Sequence, residues 1–520
     1  MRILFFSISL FVCTTFVFVT AVAAQDFKVM AFYTADGVEQ RNFLPADIPV
    51  TQLTHLFYAF AIPKDLNKDG KYEAAMNSDE VAYNQIMSRH VAGTKRRENE
   101  MRGVLRQLRV LKRQNPQLKI MLSVGGACYY DAELDQCLAL SPLFRTISQS
   151  EEGTAYFLDA LVKLMIQPFP EGENQELFDG LDIDWEFPVA EDRAYYVPFI
   201  RALRQRLDAA GEQNHKRYLL TVDGAATQYF IQHVDIQNLA PLVDWVNVLS
   251  YLFHMPQSWN DHTGHNAPFA SMGNDSHGQG YDVQNASIGV WQKGGMPMEK
   301  LALGLPFFGI GYKQVQSGNA NYPGLNAKYD GALVEGGEIP YVEIWTDHYK
   351  KGGFKAYWDD QAQVPFMYNA DTKAWISYDD TKSLSIKSIW AKEQKLAGIF
   401  LWELSQESMP NQPLAPLTQA ITNALRTGRV PNTSTSSGAL VLPTSVNDDT
   451  HIVFQIQKPG QTQVRLYDAI GNEVRKLMDE YLIPGTYSTI FQAKDMASGA
   501  YLCKISNGNT TETLKLTLLP

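Results

Sequence analysis

The chain has 520 residues, 45% of them hydrophobic and 19% charged, with a formal net charge of −11. That length gives room for two or three domains with sizeable cores. The acidic balance argues against nucleic acid and against anionic partners.

The chain opens with one Arg ahead of a long apolar run that ends in small residues at Ala21, Ala23 and Ala24. This order reads as a secretory signal peptide over 1–24, with the mature chain starting near Gln25. A membrane anchor is the alternative, because the run is about long enough to span a bilayer. The small-residue end favours cleavage. No later stretch is long and apolar enough to span, so a soluble exported protein is expected.

Eight short apolar runs follow, at 27–33, 53–62, 118–126, 177–187, 218–226, 245–253, 300–309 and 395–404. Helix-length segments separate them, and two of these show apolar residues at helical spacing, "ENEMRGVLRQLRVLKRQN" and "YYVPFIRALRQRLDAAG". Strand and helix alternating over this length predict an α/β fold with a parallel sheet. Eight strands fit a closed (β/α)8 TIM barrel over 25–427. A doubly wound open sheet is the alternative, but eight crossings favour closure.

The interval before the eighth run is too long for one helix. It holds "KAYWDDQAQVPFMYNADTKAWISYDD", which alternates like antiparallel strands with polar turns. An inserted α+β lobe is expected over 311–393, between strands seven and eight. Residues 428–449 are polar and rich in Ser, Thr and Pro, which reads as a linker. Short alternating strands divided by Gly turns then predict a C-terminal all-β sandwich over 450–520. Three cysteines follow the leader. Cys128 and Cys137, nine apart, either remain thiols or close a small loop. Export favours the disulfide, leaving Cys503 unpaired.

The fourth run, "LFDGLDIDWEFP", contains Asp179, Asp182, Asp184 and Glu186. A strand sends alternate side chains to opposite faces. Asp182, Asp184 and Glu186 therefore share one face, about 6.6 Å apart from neighbour to neighbour. Leu181, Ile183 and Trp185 share the other, which would meet the helices. The acidic face points into the barrel, where lone carboxylates are expensive. Clustered acids push each other's pKa values apart, so at least one should hold its proton towards neutrality. Glu186, at the C-terminal end of the strand, is the natural proton donor and Asp184 its partner. Three acids could also hold Mg2+ or Ca2+. Consecutive inward positions on one strand do not easily surround an ion, so no metal and no cofactor are expected.

"FDGLDIDWEFP" resembles the DGxDxDWE signature of glycoside hydrolase family 18, the chitinase family. "SVGG" (123–126), "KLALGLPFFG", "GEIPYVEI", "VPFMYN", "WISYDD", "GIFLWEL" and "TGHNAPF" (263–269) resemble further family segments. The resemblance covers roughly residues 27–425. It implies a chitinase that cuts β-1,4 bonds between N-acetylglucosamine units, with chitin or its oligosaccharides as partner. It further implies substrate-assisted retention, in which the 2-acetamido oxygen and not a second carboxylate attacks the sugar. On this resemblance Glu186 would be the general acid and Asp184 would hold the acetamido group. Asp182 would tune Asp184 through a shared proton, and Asp179 would be structural. Tyr251 would hydrogen-bond the acetamido oxygen. Trp402 would floor the sugar site, with Tyr33 and Phe60 as inner barrel aromatics near it. Ser123, Gly125 and Gly126 would shape the pocket bottom.

The chain departs from the family pattern at the sixth strand. "LSYLF" stands where Met-x-Tyr-Asp is usual, so Leu249 replaces a substrate-side Met and Leu252 replaces Asp. His254 either compensates for the lost acid or is a solvated loop residue. Ala127, Phe187 and the segment Phe308–Ile310 also depart from the usual residues. The family includes non-catalytic sugar-binding lectins, which typically lose the residue that Glu186 matches. It also includes endo-β-N-acetylglucosaminidases acting on N-glycans, which commonly lack the inserted lobe. Both remain alternatives.

"LYDAIGNEVRKL" and the strands after it resemble the C-terminal sorting domains of the type IX secretion system. The matching positions are Gly471–Val474, Met496–Tyr501 and Lys515–Leu519. That implies type IX secretion machinery as a partner and a secreted or bacterial cell-surface location. A carbohydrate-binding sandwich is the alternative, but the module has no Trp and its Tyr residues are scattered. The oligomeric state is left open.

Overall fold

The computed structural model describes residues 27–92, 102–131, 136–169, 176–256, 261–271, 281–316, 318, 321–349, 352–408, 415–430, 445–446, 450–491 and 496–518. The expected signal peptide and most of the expected linker lie outside the described residues.

Eight strands run parallel: β1 (Lys28–Thr34), β2 (His55–Lys64), β3 (Lys119–Gly126), β4 (Gly180–Trp185), β5 (Leu219–Gly224), β6 (Trp245–Val248), β7 (Leu301–Pro306) and β8 (Gly398–Trp402). Each pairs with the next in sequence, and β8 pairs back with β1, so the sheet closes. The (β/α)8 barrel expected from the sequence is the fold.

Closure separates two apolar populations. Leu181, Ile183 and Trp185 of β4 belong to the outer one, beneath the helices. Trp185 stacks on Phe144 at 5.3 Å and meets Tyr196 and Phe199 edge-on. Met30, Phe32, Phe57, Met121, Trp245 and Phe400 form the inner one. Tyr33 falls in the outer population, contrary to its expected place beside the sugar site. Its hydroxyl donates to Phe43 O at 3.2 Å, and its ring packs against Phe43 and Tyr58. A step of one residue along a strand changes the face. The inner aromatic on β1 is therefore Phe32.

Between β7 and β8 an antiparallel sheet forms the inserted lobe, from strands at 308–312, 338–340, 354–359, 364–369 and 374–377. Its first strand continues almost directly from β7. Helix Thr381–Glu393 then returns to pack on β8. Beyond the barrel, strands at 450–456 and 485–491 face a five-stranded sheet, making an all-β sandwich. Its core includes Ile452, Phe454, Leu466, Tyr487, Phe491, the free Cys503 and Leu516. Cys128 and Cys137 are disulfide-bonded across a hairpin beyond β3, with Cα atoms 5.7 Å apart.

Asp179 precedes β4 at the N-terminal end of the barrel, away from the strand exits. Helix Val104–Gln114 buries Val104, Leu105, Leu108 and Leu111, which delivers Lys112 from its last turn to that end. Lys112 Nζ lies 2.7 Å from Asp179 Oδ2, and Ile120 N donates to the same oxygen at 2.9 Å. Lys119 and Lys216 approach the other oxygen at 3.7 and 3.5 Å. Removing this buried anion strands several donors. Asp179→Ala is expected to cost about 3 kcal/mol of stability, read by urea denaturation. An unfolding midpoint equal to that of wild type would overturn this structural role.

Candidate active site

β4 sets the acids by its register with both neighbours. Asp182 lies level with Ser123 on β3 and Thr221 on β5. Ser123 Oγ donates to Asp182 Oδ2 at 2.7 Å. Thr221 Oγ1 and Asn247 Nδ2 donate to Oδ1 at 2.5 and 3.1 Å. Both oxygens thus accept from neutral donors, and Asp182 is fully buried. Trp245 Nε1 donates to Asn247 Oδ1 at 2.8 Å, which fixes the amide's orientation.

One step up the barrel sits Asp184, level with Gly125. Gly125 has φ +123°, and a Cβ there would lie 2.0 Å from Asp184 O. Gly126, with φ +98°, leaves space for the ring of Phe60. Only glycine lets β3 pass this close to the site. Glu186 is half-buried just past the strand end.

The structure adds residues that the sequence reading did not select. Asp223 on β5 is buried beside Asp184 and is level with Asn247. The polar alternation of Thr221 and Asp223 in "LLTVDG" was the available signal, and Asn247 in "WVNV" was another. Glu338 projects from the lobe strand paired with Ile310. Phe32 takes the position expected for Tyr33.

Burial pushes Asp182 up to about 6 and Glu186 up to about 7, with the charge of Glu338 adding to the latter. Asp184 and Asp223 are pushed well above the carboxylate range, by burial first and by the neighbouring carboxylates next. The same burial and charges keep the Tyr251 hydroxyl protonated. It is therefore available as a donor.

Aromatic rings close the floor. Trp402 packs against Phe32 at 5.1 Å and Phe60 at 6.0 Å. A register shift between Ala59 and Ala61 swings Phe60 towards the rim. Arg41 holds Glu403, next to Trp402, at 3.2 Å and donates to Ser405 Oγ at 2.7 Å. Tyr251 meets Phe308 edge-on at 5.6 Å and Phe400 at 6.4 Å. Leu249 packs on the same inner cluster. Leu252 has φ +59°, and its N–H donates to Asn266 Oδ1 at 2.9 Å. Asn266 Nδ2 donates in turn to Phe308 O at 3.2 Å. Beside it His265 lies 3.2 Å from Asp359 of the lobe. The segment 263–269 thus ties the β6 exit to the lobe. His254 is buried against Gly264 and is not a solvated loop residue.

The profile of the family described as Glycosyl hydrolases family 18 matches residues 28–407. That of the Secretion system C-terminal sorting domain matches 441–518, which marks the chain for export to the cell surface or the medium. Chitinase A1 of Niallia circulans is 29% identical over 421 residues, covering 74% of this chain. The chain spans 57% of the length of that relative. Among solved structures, the Ostrinia furnacalis Group IV chitinase in complex with allosamidin matches with a TM-score of 0.60 and 25% identity, over 78% of this chain and all of that one. Human YKL-39, described as a pseudo-chitinase with retained chitooligosaccharide binding, matches at 0.59 and 25%, over 77% of this chain and all of that one.

Raised carboxyl pKa values mean that the folded state keeps protons the unfolded chain releases. Their contribution is full below the unfolded carboxylate range near pH 4 and is lost as pH rises through the folded values. For Asp182 and Glu186 that loss runs up to about pH 6 and 7, and it extends higher for Asp184 and Asp223. Thermal unfolding should therefore show Tm falling between about pH 5 and 8. Asp184→Asn, with one fewer raised group, should fall less steeply. Parallel Tm-against-pH curves for the two proteins would contradict the protonated cluster.

Proposed function

The chain belongs to glycoside hydrolase family 18, and on that premise we propose that it is a retaining chitinase. Its substrate is chitin or its oligosaccharides, and it uses the substrate's own acetamido group as nucleophile. The observation that carries the reading is the place of a half-buried Glu186 at the exit of a barrel whose interior carries Asp184, where burial raises its pKa to about 7. A carboxyl group in that range is protonated when substrate arrives and can still give up its proton.

In this mechanism Glu186 protonates the glycosidic oxygen and the leaving sugar departs. The acetamido oxygen bonds to C1 as the C1–O bond breaks, giving an oxazolinium. Asp184 accepts a hydrogen bond from the acetamido N–H, turns the oxygen towards C1 and opposes the developing positive charge. Tyr251 donates to the acetamido oxygen. Trp402, braced by Phe32 and Phe60, gives the sugar an apolar floor. Glu186, now ionised, takes a proton from water as that water opens the ring, and the product keeps its β configuration. Asp182, anchored by three donors, fixes the height of β4 against its neighbours. The C-terminal sandwich addresses the enzyme to type IX secretion machinery.

Chitohexaose digestion followed by time-resolved anomer analysis tests the reading. Wild type should release short oligomers that are initially β. Glu186→Gln should lose roughly 10²- to 10⁴-fold in kcat. Wild-type kcat should fall as pH rises through about 7, because the acid form of Glu186 is lost. Intact chitohexaose with wild type would turn the reading towards N-glycan cleavage or sugar binding without turnover.

A further inference from the structure

Asp184 and Asp223 face each other across two strands. β4 and β5 are parallel neighbours, with Asp182 opposite Thr221 and Ile183 opposite Val222. The next pair in that register is Asp184 with Asp223. Thr221 points inward, since its hydroxyl reaches Asp182, and the two-residue period carries Asp223 inward as well. Asp184 is 1% exposed and Asp223 4%. On each, Oδ1 is buried with no hydrogen-bond donor. Among the described residues neither makes an ion pair.

Two adjacent carboxylates without a cation do not both ionise; one proton stays with the pair. Asp182 is poorly suited to hold it, because three neutral donors already occupy its two oxygens. Those bonds work against the burial that raises its pKa, whereas the buried Oδ1 of Asp184 and that of Asp223 have no donor and leave room for a proton between the two groups. The sixth-strand position where an acid is usual holds Leu252, whose backbone is committed to Asn266.

We propose that Asp223 is the positioning residue that shares one proton with Asp184. It thereby takes over the role that the sequence resemblance gave to Asp182. This rests on the substrate-assisted reading above. With the cleft empty the proton lies between the two carboxyls. When Asp184 accepts the acetamido N–H as an anion, the proton remains on Asp223, so no proton enters or leaves the pair. Other groups facing Asp223 are Asp182 on β4, Glu186 just past its end, Tyr196 on the helix at 193–214, and Tyr251 beyond β6. Both tyrosines are held neutral by burial. The acids are thus the charges it responds to.

Asp223→Asn keeps the shape and removes the shared proton site. Its kcat on chitohexaose should fall roughly 10- to 100-fold with KM changed less than about threefold. The acidic limb of its kcat–pH profile should move down by about one unit, because Asp184 ionises more easily without a carboxylate beside it. Asp182→Asn should move that limb less. Asp223→Glu should restore part of kcat and return the limb upward. Tm against pH, recorded on the same proteins, reads the shared proton without any turnover. Asp223→Asn should flatten the decline between about pH 5 and 8, and Asp223→Ser serves for both measurements if the Asn variant does not fold. An unmoved acidic limb, or a Tm decline equal to that of wild type, overturns the proposal. Should wild type leave chitohexaose intact, the chitinase reading fails by itself, and the Tm comparison still decides whether Asp223 shares the proton.

Discussion

Four carboxyl groups gather at the mouth and in the interior of one barrel, and no cation among the described residues pairs with Asp182, Asp184 or Asp223. Everything else at the site follows from how that burial is made tolerable. Asp182 is stabilised by three neutral donors, one each from β3, β5 and β6. Each donor belongs to a different strand, so the bonds also lock the relative height of four staves. Asp184 and Asp223 are stabilised by retaining a proton instead. The two solutions sit one layer apart. The lower layer fixes geometry, and the upper layer keeps a mobile charge.

The cluster could not function on a loose frame. Gly125 brings the β3 backbone against Asp184, and a single methyl group there would collide with a carbonyl. On the opposite wall, Glu403 is clamped by Arg41, so the chain cannot twist freely beneath Trp402. The lobe is attached through Asn266, which bonds the β6 exit and the strand continuing from β7 together. The acids towards the strand exits and the ion-pair cluster at the opposite end of the barrel are thus spatially separated. Asp179, with its three lysines, belongs to the second of these.

The sequence made β4 legible because charge marks its phase. Acids on one face and large apolar groups on the other allow one orientation in a closed barrel. β1 offers no such mark. "KVMAFYT" is apolar on both faces, as parallel strands buried on both sides usually are, so Phe32 and Tyr33 cannot be told apart by pattern. The family resemblance puts Tyr33 inside, the strand pattern offers nothing to correct it, and the residue is found outside. The eight strands, the lobe and the terminal sandwich were readable because their lengths and punctuation are regular. The disulfide was readable as a spacing. What the spacing of a single strand cannot show is which residue of the neighbouring strand lies level with it, and Asp223 became visible only through register.

Register also relates Asp223 to the acids of β4. In a closed barrel, inward positions on adjacent strands lie within side-chain reach of one another. An acid needed beside Asp184 is therefore not bound to one strand. β5 presents Asp223 at the level of Asn247 on β6, inside the barrel and beside Asp184. The electrostatic requirement belongs to the cavity and not to a sequence position. A motif read along one strand does not show such a neighbour, whereas the interior holds the charge, the proton and the proximity on which Asp184 depends.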